Sequence, residues 1–274
     1  MSHPLLNLEA RPVIGHRGAA AYAPENTLPS FELAIAQGAD VIELDVRASA
    51  DGIATVVHDA TLDRTTDRGG EVSRLAFARI AEADAGARFS PDGSHFPWRG
   101  RGVHIPSLRD VLERFPATSL LIELKTVDAQ LPVREALLEG DAAQRCVLMS
   151  SRSEALEAFR SPPWVTGATK AESMALLWHA LLGADLGPIP YRTFSIPRRL
   201  RGVPLPMRLL TRAARAHGLP LHVWTVDSPS VAARLWRSGV CGVVTNAPDV
   251  IRAVRTRVAA RLIAERASGS PGSR

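Results

Sequence analysis

Chemically able side chains fall in a few short clusters of this sequence. In "VIGHRGAAAYAPENT", residues 13–27, an apolar run ends on His16 and Arg17, and Glu25 and Asn26 follow close behind. In "DVIELDVR", residues 40–47, strand alternation puts Glu43 and Asp45 on one face and Leu44 and Val46 on the other. Two carboxylates about 6–7 Å apart along a strand repel each other unless a cation lies between them. A solvent-facing edge strand is the bland alternative, but the neighbouring Val41, Ile42 and Leu44 speak for a central strand and so for a metal. "LLIELKT", residues 120–126, repeats the device with Glu123 and Lys125 on one face; an internal ion pair is the plain reading there. Lysine is scarce, since Lys125 and Lys170 are the only two among 33 basic residues, so a lysine kept at a strand end also suits a phosphate-binding point charge.

Two further segments join these. "ATVVHDATLDRTTDRGG" carries His58 and Asp59, a pair that alone reads as a turn. Set above the same strand ends as His16, His58 is placed to flank one substrate with it. "LHVWTV" ends on Trp224 and its neighbours, either core or an apolar wall of a site. Charge then selects the substrate. Glu43, Asp45 and Glu123 carry −3 and Arg17 and Lys125 carry +2, so the group by itself repels an anion. One divalent cation reverses the sign and suits a phosphodiester of charge −1. At about 4 Å and an effective dielectric of about 20, each charge pair is worth about 4 kcal/mol, enough to decide the class. All-oxygen ligands favour Mg²⁺ or Ca²⁺ over zinc.

Positioning these groups takes strands that all end on one side. Short apolar runs recur at 13–15, 41–46, 54–57, 120–124, 146–149, 165–169, 193–196, 221–226 and 242–245, with helix-period stretches between most of them. Alternating strands and helices imply parallel pairing through right-handed crossovers, and the expected fold is an α/β (β/α)₈ barrel of TIM type. Nine runs are one too many. The run at 54–57 follows its predecessor through "RASADG", too short for a helical crossover, and is expected as a hairpin-like excursion above the barrel mouth. Active sites of such barrels lie at the carboxyl ends of the strands, where every residue named above falls.

Length and composition agree with one domain over 1–274: a core over 12–252, a polar insertion with little core of its own over 59–105, and a disordered tail over 266–274. The amino terminus lacks the pattern of a secretory signal, and two cysteines, Cys146 and Cys241, make no disulfide framework, so a cytoplasmic location is expected. Residues 1–191 hold 18 basic against 25 acidic side chains, and residues 192–274 hold 15 against 3. The basic third lacks interleaved aromatics and reads as a solvated face, so no nucleic-acid partner is expected. The oligomeric state stays open.

In this order and spacing, "GHRG…PENT", the Glu-x-Asp pair, "HDATLDRTT", "IELK" and "HVWTV" resemble the glycerophosphodiester phosphodiesterase family over residues 12–252. The resemblance implies a TIM-type barrel that hydrolyses glycerophosphodiesters to glycerol 3-phosphate and an alcohol. It implies His16 and His58 as acid/base pair, Glu43, Asp45 and Glu123 as metal ligands, and Arg17 and Lys125 on the phosphate, with Glu25 and Asn26 supporting the site. "VVTNAPD" departs from the family's habit of an acid in place of Asn246, and that strand end is expected to bear on packing or specificity rather than on chemistry. A runner-up is a lipid-directed phosphodiesterase of lysophospholipase D type, with peripheral membrane contact through the apolar stretch 173–191.

Overall fold

The structure is a computed structural model describing residues 3–267, and side chains up to residue 258. Strand β1 (Val13–His16) leads through helix α1 (Leu28–Ala36) into β2 (Val41–Ala48), which turns back as β3 (Ala54–Val56). After a short helix α2 (Phe77–Ala81) come α3 (Leu108–Arg114), β4 (Ser119–Leu124), α4 (Gln130–Glu139) and β5 (Cys146–Met149). Helix α5 (Lys170–Leu182), β6 (Phe194–Pro197) and the two-residue strands β7 (Arg199–Leu200) and β8 (Val203–Pro204) follow. The chain continues as α6 (Met207–Ala216), β9 (Leu221–Trp224), α7 (Pro229–Arg237), β10 (Gly242–Thr245) and α8 (Pro248–Ala267). Of the tail expected over 266–274, residues 268–274 lie outside the described residues.

Seven strands pair in the order β5-β4-β2-β1-β10-β9-β6, each pair parallel. The eighth stave is the segment around residues 165–168. Rather than the strand expected over 165–169, it makes single parallel bridges, Thr166 to Leu148 on one side and Gly167 to Thr193 on the other. Gly167 lets the segments approach closely there, because a Cβ would stand 2.9 Å from the Met149 side chain. Backbone bonds from Leu148 N to Val165 O and from Ala168 N to Thr193 O, both 2.8 Å, close the ring. The result is the TIM barrel. As expected, β3 pairs antiparallel with β2 as an excursion, Val46 facing Val56.

The sequence explains the punctuation. Helix α3 starts on a capping box in which Ser107 and Asp110 exchange hydrogen bonds, and Pro29 lies in the first turn of α1. Apolar residues between strands and helices form two large clusters, one around β2, β4 and β5 and the other around β6, β9 and β10. Inside the barrel, Leu5, Ile14, Val41, Leu121, Val147 and Val244 form a packed layer below the strand ends. Leu5 belongs to a single turn, Pro4–Leu6, that tucks under the floor, where its carbonyl accepts from buried His222 Nε2 at 3.0 Å. The insertion is better packed than its polar composition suggests. Leu62, Val72, Ile80, Ala83, Ala85, Val103 and Ile105 bury one another with Val57, against the expectation of little core. A few apolar side chains spaced through a polar loop suffice to fold it onto the mouth.

Candidate active site

Register assembles the site. His16 pairs with Glu43 across β1 and β2, and Asp45 with Glu123 across β2 and β4, so residues far apart in sequence share one rim at the strand ends. After His16 the chain turns sharply: Arg17 adopts a left-handed backbone, φ 53°, as does Asn26, φ 58°. This turn aims the Arg17 amide at Glu43, donating to Oε2 at 2.9 Å. Gly18 must be glycine, for its φ is +89° and a Cβ would lie 2.4 Å from Ser30 Oγ.

Glu43, Asp45 and Glu123 each offer an oxygen within 4.8 Å of the others, the first two buried. Burial, then the neighbouring Asp45 and Glu123 carboxylates, push Glu43 well above the usual carboxylate range. Asp45 goes the other way: burial opposes, but Lys125 and Arg17 hold it below its ordinary value. Lys125 Nζ bridges Asp45 Oδ1 and Glu123 Oε2 at 2.8 Å each, and Arg17 Nε lies 3.0 Å from Asp45 Oδ2. Three acids crowded until one is driven toward its neutral form, with oxygen as their only donor atoms, fit a hard divalent cation.

His16 and His58 both line the cavity over this cluster. His58 Nδ1 lies 2.7 Å from Asp59 Oδ1. Arg64, inside "HDATLDRTT" but not among the residues singled out there, donates to Asp59 at 2.5 Å and to both oxygens of Glu25 at 2.7 and 2.9 Å. Burial pushes Asp59 up, but Arg64 and His58 outweigh it and hold the acid at about 2. Arg47 Nε donates to the His58 carbonyl at 2.8 Å. Burial, then the charge of Arg17, push His16 below its ordinary value.

The cavity has a volume of about 460 Å³. Of the residues singled out in the sequence, His16, Arg17, Glu43, His58, Glu123, Lys125 and Trp224 line it. Asp45 sits just behind, and Glu25 and Asn26 stand behind that: Glu25 accepts from Arg17 Nη1 at 2.8 Å, and Asn26 Nδ2 donates to Asp45 Oδ2 at 2.9 Å. Trp224 is a rim residue rather than core, 43% exposed. Asn246 corrects the sequence reading. Its Oδ1 lies 2.7 Å from His16 Nδ1, so this strand end contacts a residue that lines the cavity rather than lying apart from the site. Register was the available signal, since Gly15 pairs with Thr245 and thereby sets the next residues, His16 and Asn246, side by side.

The sequence profile of the glycerophosphoryl diester phosphodiesterase family matches residues 16–250. The chain belongs to this family. A glycerophosphodiester phosphodiesterase of Caldanaerobacter subterraneus is 30% identical over 249 residues, covering 87% of this chain and 95% of that protein. The crystal structure of the Agrobacterium tumefaciens glycerophosphodiester phosphodiesterase superposes with a TM-score of 0.72 at 29% identity, over 89% of this chain and 99% of that one. An Oleispira antarctica phosphodiesterase, solved in complex with the product sn-glycerol-3-phosphate, superposes with a TM-score of 0.71 at 25% identity, over 89% of this chain and 96% of that one. The protein is thus an enzyme of the glycerophosphodiester phosphodiesterase kind, and the cavity over the carboxylates is its candidate active site.

Proposed function

We propose that the domain over residues 12–252 hydrolyses glycerophosphodiesters to sn-glycerol 3-phosphate and an alcohol, in the cytoplasm, with His16 and His58 as acid and base and a divalent cation on Glu43, Asp45 and Glu123. The observation that carries this reading is the two imidazoles lining one cavity with the three-carboxylate cluster. The product bound by the Oleispira protein supports the glycerol 3-phosphate half, and two buried, unpaired cysteines suit a reducing compartment. The cation, Mg²⁺ or Ca²⁺ by its oxygen ligands, supplies positive charge for the phosphoryl oxygens.

The chain's own residues do the rest. Arg17 and Lys125, which bear on the carboxylates from the cavity wall, hold the phosphate, and Glu25 and Asn26 keep Arg17 and Asp45 in place. His16 takes the proton from the attacking oxygen, either water or the glycerol hydroxyl beside the phosphate. As the new P–O bond forms, the bond to the alcohol breaks and His58 gives its proton to the departing oxygen. Where the glycerol hydroxyl attacks, water then opens the cyclic phosphate so formed, His58 taking the water's proton and His16 returning one to the glycerol oxygen. Release of sn-glycerol 3-phosphate from a panel of glycerophosphodiesters, measured with Mg²⁺, with Ca²⁺ and with chelator, tests this: release with an ion and loss with chelator are expected. Undiminished release in chelator rejects the cation, and no release from any diester rejects the reaction.

The cavity wall favours a second reading, cleavage of lysophospholipids. Besides the charged cluster and several serines, it is lined by Met174, Leu177, Ile196, Leu200, Leu205 and Trp224, whose apolar surface suits an acyl chain. The membrane contact expected through 173–191 belongs to this reading. Met174 and Leu177 of that stretch face the cavity, and Trp178, Leu181 and Leu182 are exposed. Lysophosphatidylcholine cleaved faster than glycerophosphocholine, with sedimentation on liposomes, is its expected signature; the reverse preference dismisses it.

A further inference from the structure

Asn246 and Asp227 form a short chain of hydrogen bonds behind His16, and its polarity can be read without ambiguity. The backbone amide of Asn246 donates to Asp227 Oδ1 at 2.7 Å, and Thr245 Oγ1 donates to the same oxygen at 2.9 Å. A carboxylate only accepts. Its second oxygen, Oδ2, lies 2.8 Å from the Asn246 side chain, so the NH₂ end of that amide must face it. The amide oxygen is then turned toward His16, 2.7 Å from Nδ1. An amide oxygen only accepts, so Nδ1 must carry the hydrogen. The Asn246 carbonyl is itself pinned by the Ala21 amide at 3.0 Å, which keeps the loop from drifting.

We infer that Asp227 and Asn246 are positioning residues that fix His16 as the Nδ1–H tautomer, with the unprotonated Nε2 left for the cavity. The inference rests on the reading of His16 as a proton acceptor and adds which nitrogen accepts and what decides it. The proton goes from the attacking oxygen to Nε2; the Nδ1 hydrogen stays where it is, since an amide cannot receive it. Asp227 is not among the residues lining the cavity, its hydrogen bonds go to Thr245 and Asn246 rather than to His16, and it acts through the orientation of the Asn246 amide. This division also separates the two histidines. His58 has a carboxylate directly on Nδ1, whereas His16 has a neutral amide there, with the carboxylate one step further back.

Exchanging the two side chains tests the polarity. In Asp227→Asn, two amides face each other. The Asn246 amide then turns over, presents its NH₂ to His16, and forces the hydrogen onto Nε2. Turnover should fall about 10²-fold, within the range for a misdirected general base, with KM little changed. In the double variant Asp227→Asn/Asn246→Asp every bond has a donor and an acceptor again: the amide at 227 donates to the carboxylate at 246, which accepts from Nδ1. Turnover should return to within about threefold of the parent. Wild-type turnover in Asp227→Asn, or a double variant no better than the single, overturns the inference. Long-range ¹H–¹⁵N spectra of the unmodified protein, with the His16 signals assigned by their loss in His16→Gln, need no folded variant at position 227. Protonated Nδ1 is expected, and protonated Nε2 overturns the inference. Full activity in His16→Gln would instead reject the acid/base role of His16, leaving the tautomer to be read from the spectra.

Discussion

His16 and His58 are the same side chain in different company, and their neighbours distinguish them more than their positions do. His58 is held by Asp59, and Asp59 by Arg64, which also ties down Glu25. This small network ends on the ring that, in the proposed reaction, gives a proton to the leaving alcohol. His58→Ala should therefore lower turnover about 10²–10⁴-fold, the usual cost of a lost general acid, with the far-ultraviolet circular dichroism of the parent; parental turnover would reject the assignment. The residues of this site that strand parity and chain order mark were legible in sequence: His16, Glu43, Asp45, Glu123 and Lys125. Those that act through space were not. Arg64 lies inside "HDATLDRTT" and Asn246 inside "VVTNAPD", yet their reach to Glu25 across 39 positions and to His16 across 230 emerges only once the strands are in register.

Among the elements, the strands were easier to read than their exceptions. Short apolar runs identified seven paired barrel strands and the β3 excursion, because burial on both faces demands nearly continuous apolar residues. The eighth stave was overread, since pairing at 165–168 is reduced to two bridges. The β7–β8 hairpin was missed: Arg201, φ 48°, and Gly202, φ 84°, form its tip, and Arg is not a residue that announces a left-handed turn. Strand β9 carries a pH dependence of its own. Burial brings His222 down to about 4, with the bond to Leu5 opposing. A Cβ on Gly242 would stand 2.6 Å from its Nδ1, so the ring is also tightly enclosed. Between the ordinary value of 6.5 and about 4, the unfolded chain binds a proton that the folded chain refuses. Stability is thus complete above that window and falls as pH drops through it, by about 3 kcal/mol at most. Thermal unfolding from pH 7 to 4.5 should fall more steeply for the parent than for His222→Gln; parallel curves would show that His222 does not titrate as described.

For the molecule as a whole, the charge imbalance seen in the sequence resolves into a local and a distributed part. The acidic excess of the first 191 residues includes the three carboxylates of the site, whose crowding drives Glu43 well above the usual carboxylate range, a strain that a bound cation would relieve. A cation at about a hundred times its dissociation constant adds about 2.7 kcal/mol to stability. The melting temperature with saturating Mg²⁺ or Ca²⁺ should accordingly exceed that in chelator by about 5–10 °C; coincident melting curves would count against a cation on this cluster.

The turn at Pro4–Leu6 and the packed layer above it give the barrel a solid bottom. The reaction chamber is consequently a blind well, and reactants and products share one doorway. Whatever is bound deepest leaves last. In the proposed reaction, with the phosphate at the carboxylates, the alcohol would clear the entrance first, and glycerol 3-phosphate, held by Arg17 and Lys125, would be the product that lingers.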